Sequence, residues 1–191
     1  RVLHQRVVST FKTKTAVGFE VDLVHQAAQQ PVVDVLRERW RVTIQPTDGN
    51  YHCFDLQMTQ RALTDKPLTV QRYHYGGVAL RGPVRWLQQA SEIQGAEQDR
   101  REPSHFLNDL RSERIKGNHE HAKWVSLIGQ LDGKPASITV LCHHNNFRSP
   151  QAARPPPTKP SFFFSAFVAG TFLIDKSHPY TRRYRYQITA L

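Results

Sequence analysis

The amino-acid sequence predicts an all-β protein, an antiparallel β-sandwich in a single domain. Apolar and polar residues alternate over much of the 191-residue chain, as in VGFEVDLVH (17–25) and RERWRVTIQ (37–45). A period of two is typical of strands that bury one face. Turn residues separate these runs, for example PTDGN (46–50) and Asp132-Gly133. Seven to nine strands joined by short turns fit a sandwich.

The first two runs predict which side chains face the core. In 17–25, Val17, Phe19, Val21 and Leu23 share one face, and the acidic Glu20 and Asp22 lie on the other. In 37–45 the apolar face holds Trp40, Val42 and Ile44, so Arg37, Arg39 and Arg41 are expected in solvent, like Arg182, Arg183 and Arg185 in the last strand. The other predicted strands are YHCFDLQMT (51–59), LTVQRYHYGGVAL (68–80), WVSLIGQLDGKPASITVL (124–141), FFFSAFVAGTFLI (162–174) and YTRRYRYQITAL (180–191).

Two stretches depart from the alternation. Residues 95–118 are polar and predict an insertion with some helix, which begins near Ser104, places Phe106, Leu107 and Leu110 on one side and stops at Gly117. Residues 149–160, SPQAARPPPTKP, are too rich in proline for a strand or a helix. They predict an extended surface connection. The Gly76-Gly77 pair inside 68–80 indicates a bulge or a close backbone approach.

Composition narrows the function classes. No apolar run is long enough to span a bilayer. The net charge of +10 suits an anionic ligand, but the arginines are spread over strand faces, so we expect no nucleic-acid partner. No signal peptide is visible and the chain begins with Arg1, so either a leader has been removed or, as we expect, this is the C-terminal portion of a longer protein. The compartment is left open by the sequence, and we favour periplasmic or secreted over cytoplasmic. The two cysteines, Cys53 and Cys142, allow one bridge at most.

The Asp132-Gly133 turn predicts what lies beside the polar segment CHHNNFRSP (142–150). A two-residue turn pairs Leu131 with Lys134, Val125 with Val140 and Leu127 with Ile138, and these apolar side chains share the buried face. Extended outward, this register sets His121 opposite His144 and His119 opposite Asn146, while Trp124, Leu141 and His143 face the other way.

Three interpretations of this polar cluster remain open. His119, His121 and His144 could supply three imidazoles to a metal, although no HExxH or CxxC pattern supports one, and we expect no cofactor. Histidine beside asparagine and arginine also suits a sugar site, with His143 or His144 as the general acid or base. The third interpretation is a structural loop at a strand end. No GxSxG nucleophile or phosphate-binding loop is present, and the carboxylates of a glycosidase pair cannot be matched from sequence.

Several of these residues also resemble a known family. YGGVALR (75–81) resembles the YGGxxxR element of a bacterial family labelled methane oxygenase PmoA-like, whose function is unknown. WVSLIG (124–129) resembles its W-V-x-L-x-G strand. HHNNFRSP matches its H-P-x-N-x-R-x-P motif at His143, Asn146, Arg148 and Pro150. Cys142 stands where the family commonly has aspartate and His144 where it has proline. The family's upstream histidine-rich segment has no match in residues 1–30.

The resemblance implies a galactose-mutarotase-like supersandwich and a carbohydrate-directed role. Methane oxygenase activity is not expected, because the corresponding enzyme subunits need membrane spans. Carried over by position, the functional candidates are Arg81, His143, Asn146 and Arg148. We therefore expect a carbohydrate-directed protein, an enzyme acting on a sugar or oligosaccharide, with His143 and His144 as catalytic groups and Arg81, His119, Asn146 and Arg148 as substrate contacts. The alternatives are a non-catalytic carbohydrate-binding sandwich and the metal-dependent oxidoreductase that the family label suggests.

Overall fold

The structure, a computed structural model, describes residues 1–47, 49, 51–87 and 102–191. Within these ranges the fold is an antiparallel all-β sandwich, as predicted. An eight-stranded sheet runs in the order β1-β2-β3-β4-β13-β9-β8-β7, and a three-stranded sheet (β10-β11-β6) and a two-stranded sheet (β12-β5) accompany it. The strands are β1 (Val2–Lys12), β2 (Val17–Gln26), β3 (Asp34–Gln45), β4 (Tyr51–Ala62), β5 (Leu68–Val70), β6 (Val78–Arg81), β7 (His105–Asn108), β8 (Trp124–Leu131), β9 (Lys134–Cys142), β10 (Ala152–Arg154), β11 (Ser161–Ser165), β12 (Phe172–Ile174) and β13 (Tyr180–Ala190).

The core lies between the large sheet and the smaller ones. Phe164 of β11 stacks on Tyr184 of β13, with ring centroids 6.0 Å apart. Val125, Leu127 and Val140 of the hairpin belong to the same buried cluster. We call the face of the large sheet that carries these side chains the inner face, and the opposite one the outer face. A second apolar cluster, around Leu36, Ile174 and Tyr180, packs the two-stranded sheet.

The hairpin prediction is confirmed as far as the strands extend. Leu131 pairs with Lys134 and Trp124 with Leu141, and both turn residues have positive φ (53° and 74°), as a two-residue turn requires. Beyond Trp124 the predicted register is wrong. His121 forms its bridge with Ala152, and the His119 backbone N–H donates to the Ala153 carbonyl. The chain before β8 therefore pairs with β10 and not with residues 144–146.

Residues 102–118 and 149–160 each contain a strand that the sequence did not predict. No α-helix occurs over 102–118: His105–Asn108 is β7, paired with β8 at the sheet edge, while 95–101 lie outside the described residues. Phe106 is buried in the core, and this packing outweighs a weak helix preference. Within 149–160, Ala152–Arg154 is β10, with Ala152 and Ala153 buried. This stretch is therefore not a surface connection, because the small alanines fit between β11 and the segment before β8.

Other predicted boundaries also change. β1 was not predicted, because its side chains are mostly exposed. The run 68–80 is two strands, and 162–174 is two strands separated by a 3-10 turn at Phe167–Ala169. The close approach at the glycine pair is confirmed, since a Cβ on Gly77 would lie 1.9 Å from the Phe164 carbonyl oxygen.

Two charged side chains are buried in the large sheet. Asp22 lies on the outer face, opposite Val21 and Leu23 as predicted, but it is buried there and accepts hydrogen bonds from Arg39 and Arg6. Arg182, which was expected in solvent, is 5% exposed on the inner face and donates to Glu38 at 2.9 Å. Glu38 belongs to β3, two strands away from β13. In each case an oppositely charged partner offsets the cost of burial. Arg37, Arg39 and Arg41 are exposed, as predicted.

Candidate functional site

A cleft of about 960 Å³ opens on the outer face of the large sheet. Its floor comes from the middle of the sheet, where β4, β13, β9 and β8 lie side by side. Its rim comes from the segment that leaves β9. The lining side chains used below are Arg41, Asp55, Gln57, Lys123, Trp124, Leu141, His143, His144, Arg183 and Arg185. We call it the outer-face cleft.

Trp124 and Leu141 form the apolar part of the floor. The two residues face each other across the β8–β9 ladder, and their neighbours Val125 and Val140 are fully buried on the opposite side. Because side chains alternate, filling the core with the valines places the tryptophan on the outer face. The sequence predicted this facing correctly for Trp124, Leu141 and His143. The result is an aromatic surface inside a polar cleft.

The polar part of the floor is already hydrogen-bonded. Arg185 donates two hydrogen bonds to the Asp55 carboxylate, at 2.6 and 2.9 Å. The Arg185 hydrogen bond lowers the pKa of Asp55 against the opposing effect of burial, so this carboxylate is ionised at neutral pH. Arg183 donates through Nε to Gln57 at 2.9 Å. These contacts fix the groups that a ligand would meet and leave oxygen lone pairs and terminal guanidinium N–H groups facing the cleft.

His143 is held as a neutral imidazole. The chain leaves β9 at Cys142, and the backbone N–H of Asn145 donates to His143 Nδ1 at 3.1 Å. An accepting Nδ1 has no proton, so the neutral ring carries its proton on Nε2. Partial burial, His144 and Arg183 lower the pKa of His143 below its usual value, with Asp55 opposing them.

His144 stacks on His143, with ring centroids 4.4 Å apart, and it is exposed. Alternation along a strand predicted that the two rings point to opposite sides. This prediction is wrong because the strand ends at Cys142 and a turn follows, which brings both imidazoles to one cleft. The two catalytic candidates therefore lie together at the rim.

Asn146 has a structural position. It is 4% exposed, its amide nitrogen donates to the Arg183 carbonyl at 2.8 Å, and its amide oxygen accepts the Arg183 N–H at 2.7 Å. The amide oxygen thus takes the place of a strand carbonyl as acceptor for the Arg183 N–H, while the His143 backbone N–H also donates to the Arg183 carbonyl, at 3.2 Å. The hydrogen-bonding groups of the Asn146 side chain are used within the protein.

Arg148 also turns away from the cleft. Its Nη1 donates to the carbonyls of Ala166 and Gly170, each at 2.7 Å, and Nη2 to that of Thr171 at 3.3 Å. The guanidinium carbon lies 4.6 Å from the Phe147 ring centroid. The arginine ties the segment 166–171 to the polar segment.

The remaining candidates lie elsewhere. Arg81 ends β6 and is exposed, and His119 lines a separate pocket with Arg72 and Tyr73. His121 is bonded through Nδ1 to the Pro150 carbonyl at 2.6 Å. Within the described ranges no three His, Cys, Asp or Glu side chains come together as a metal site, so His119, His121 and His144 do not form the metal-binding triad that was one of the open interpretations. Cys53 and Cys142 are both free thiols.

Sequence reasoning missed most of the polar floor. Asp55, Gln57, Arg183 and Arg185 share the outer face because β13 pairs with β4 on one side and with β9 on the other. The alternating Arg-Tyr pattern of 182–186 contained a signal, since buried tyrosines require Arg183 and Arg185 to face outward. Which strand they would meet there depended on the long-range pairing.

The comparisons with known proteins identify a family and no activity. None of the described helices has the length and hydrophobicity needed to cross a membrane. No curated protein and no solved structure matches the sequence. A family of unknown function, DUF6807, matches the chain over residues 1–190, which is nearly its whole length. The chain therefore belongs to the DUF6807 family.

Proposed function

We propose that this chain is a carbohydrate-directed protein and that the outer-face cleft binds a sugar or oligosaccharide carrying acidic groups. The observation that carries the proposal is Trp124 on the cleft floor, surrounded by hydrogen-bonding groups fixed by their own partners. The cleft volume lies at the upper end of the range of about 300–1,000 Å³ typical of ligand sites. This leaves room for more than one sugar ring.

The apolar and the polar parts of the cleft floor match the two kinds of surface on a sugar. A pyranose has a face of C–H groups that packs on an aromatic ring, and an equator of hydroxyls that both donate and accept hydrogen bonds. Trp124 offers the ring, while Asp55 and Gln57 offer acceptors. His143, with its proton on Nε2, offers a donor.

The charge of the lining favours an acidic sugar. Four cationic side chains line the cleft beside one carboxylate, Asp55, and Arg185 neutralises that carboxylate. Arg41 is paired with Glu20 outside the cleft. Arg183 and Lys123 remain without a carboxylate partner among the described residues. A uronic acid would supply the missing charge.

The stacked histidines support a catalytic role in the same cleft. His144 makes no side-chain hydrogen bond within the described residues and can exchange a proton with a bound hydroxyl. Its neighbour His143 is neutral and can donate from Nε2. Such a pair suits reactions that move a proton on a sugar, of which mutarotation is the simplest. The alternative is a binding module with the same specificity and no turnover.

Binding is tested by isothermal titration calorimetry with glucose, galacturonate and short oligogalacturonates. We expect saturable binding of the oligogalacturonates, weakened about ten-fold or more by Trp124→Ala. Leu173→Ala, which removes an exposed apolar side chain away from the cleft, is the matched control and should bind as wild type. If none of the sugars binds, or if Trp124→Ala binds as tightly as wild type, the proposal fails.

Catalysis is tested separately by following anomer exchange by NMR and product release by chromatography on the same sugars. We expect turnover that His144→Ala and His143→Ala reduce while leaving the fold intact. Binding without any change in the sugar would identify a binding module and exclude the catalytic part for these substrates.

A further inference from the structure

A second pocket lies away from the outer-face cleft and shares no lining residue with it. It is lined by Arg72, Tyr73, His74, His119 and Val168 and has a volume of about 300 Å³. We call it the Tyr73 pocket. None of its lining residues is acidic. Its size suits a ligand of roughly one ring, at the lower end of the usual range for binding sites.

Tyr73 and His74, which line the pocket, begin a series of aromatic rings that continues outside it. The centroids of Tyr73 and His74 are 4.6 Å apart, those of His74 and Tyr75 are 4.4 Å apart, and those of Tyr75 and Phe163 are 5.4 Å apart. Phe163 belongs to β11, so the series is anchored on the three-stranded sheet. At its other end Tyr73 is 55% exposed. A ring that packs on Tyr73 would add to this series of tilted and edge-to-face ring contacts.

Arg72 in the pocket and Arg154 beside it have carbonyl partners rather than carboxylates. Arg72 donates through Nε to the Val168 carbonyl at 3.1 Å, and its terminal nitrogens have no partner within the described residues. Arg154 donates to the His74 carbonyl at 2.6 Å and lies 5.5 Å from the Tyr75 ring centroid. A carbonyl oxygen orients a guanidinium without cancelling its charge. The positive charge at this pocket is therefore available to a ligand.

Two glycines allow the aromatic segment to lie on the sheet. Gly76 and Gly77 have φ of 113° and 86°, a region that other residues rarely adopt. A Cβ on Gly76 would lie 2.3 Å from the Phe167 ring, and one on Gly77 would meet the Phe164 carbonyl oxygen. The Tyr-Gly-Gly part of the sequence motif thus sets the position of Tyr73 and His74.

The second sequence motif supports the other wall. Arg148 fixes the segment 166–171 through three carbonyls. The backbone N–H groups of Arg72 and Tyr73 donate in turn to Thr171 Oγ1 and to the Phe167 carbonyl of that segment. The segment also contributes Val168 to the pocket. Gly76, Gly77 and Arg148 do not line the outer-face cleft. They belong to the two sequence motifs, and all three support the Tyr73 pocket.

We propose that the Tyr73 pocket is a second binding site, for a single ring that carries a carboxylate or phosphate group, such as a sugar acid or a sugar phosphate. The ring packs on Tyr73, and the acidic group is bound by Arg72, whose planar guanidinium suits either anion. His74 and His119 add hydrogen bonds at the sides. This proposal does not depend on the function of the outer-face cleft, because the lining residues of the two sites are different.

The test uses NMR of the histidine ring protons, with His119→Gln to assign one signal, during titration with galacturonate, glucose 6-phosphate, glucose and inorganic phosphate. We expect the first two to shift the His74 and His119 signals with saturation. Tyr73→Ala and Arg72→Gln should each weaken this binding about ten-fold or more, while Trp124→Ala leaves it unchanged. Tyr73→Phe keeps the ring and should bind nearly as wild type.

Three results would overturn the proposal. One is that neither ring-bearing anion moves the two histidine signals. The second is that Tyr73→Ala and Arg72→Gln, shown to be folded by their unfolding transitions, bind as tightly as wild type. The third is that glucose or inorganic phosphate binds as tightly as glucose 6-phosphate, because this would remove either the anion or the ring from the recognition.

Discussion

The outer-face cleft and the Tyr73 pocket both combine aromatic rings with arginines, yet they use the arginines differently. In the cleft Arg185 is paired with a carboxylate, and its charge is largely cancelled. Arg72 in the pocket and Arg154 beside it are oriented by carbonyls and keep their charge. The cleft is also about three times as large. The partner of an arginine thus decides how much charge it offers to a ligand. In the cleft this charge comes from Arg183 and Lys123, because Arg185 and Arg41 are paired with carboxylates.

The largest expected effect is on the free energy of unfolding. It compares Gly77, which supports the Tyr73 pocket, with Gly133 in the turn of the hairpin that carries Trp124. Gly77→Ala combines positive φ with a Cβ in contact with the Phe164 carbonyl oxygen, so we expect a loss of more than about 3 kcal/mol in the free energy of unfolding. Gly133→Ala has positive φ but open space around the new Cβ, and should cost about 1 kcal/mol. Urea denaturation measures both. Equal losses would show that the close approach does not matter.

A smaller effect is expected at the anchor of the cleft rim. Asn146→Asp removes the donor to the Arg183 carbonyl and sets a carboxylate beside it, which should cost about 2 kcal/mol in unfolding free energy. Asn145→Asp adds the same charge at an exposed neighbour whose backbone alone bonds His143, and should change stability by less than about 0.5 kcal/mol. Similar results for the two variants would contradict the structural position of Asn146.

The effect of salt on the dissociation constant should differ between the two sites by a few-fold. Raising the ionic strength from about 0.01 M to about 0.15 M shortens the screening length from about 30 to about 8 Å. The dissociation constant of glucose 6-phosphate at the Tyr73 pocket should rise more than that of an oligogalacturonate in the cleft, per charge on the ligand. Calorimetry at the two ionic strengths gives the comparison. A stronger salt dependence in the cleft would show that charge contributes more to binding there than at the pocket.

The smallest expected effect is that of pH on the affinity of the Tyr73 pocket for an anion. Partial burial, Arg154 and His74 lower the pKa of His119 below its usual value of about 6.5, so the free pocket holds this ring neutral at pH 7. A bound anion favours the protonated ring and raises that pKa. Binding then takes up a proton, and affinity should increase as the pH falls from about 7.5 to about 5.5. In His119→Gln this increase should be reduced.

The sequence predicted the parts of the fold that depend on neighbouring residues. The β8–β9 hairpin and the outward facing of Trp124 follow from one turn and one alternation. The burial of Arg182 was not predicted, because its partner Glu38 lies 144 residues away in the chain. The register that linked His121 to His144 failed because β8 begins at Trp124 and the preceding residues pair with β10.

The candidate site was predicted in part for a similar reason. His143 and His144 do lie at a cleft, but Asn146 and Arg148, two and four residues later, face the protein interior or its carbonyls. A polar side chain near a strand end can bind a ligand or satisfy the backbone, and the residue types are the same for both. Only the three-dimensional neighbours, the Arg183 backbone and the segment 166–171, distinguish the two roles.

The Asn146 side chain has a consequence for how the family can diversify. One amide closes the end of the ladder with β13, so the three residues before it need not form regular strand pairs. Positions 144 and 145, whose side chains make no hydrogen bond within the described residues, can therefore change in size, charge or chemistry with little cost to folding. A new ligand preference at the cleft rim could arise by substitution at these positions while a single asparagine preserves the architecture beneath them.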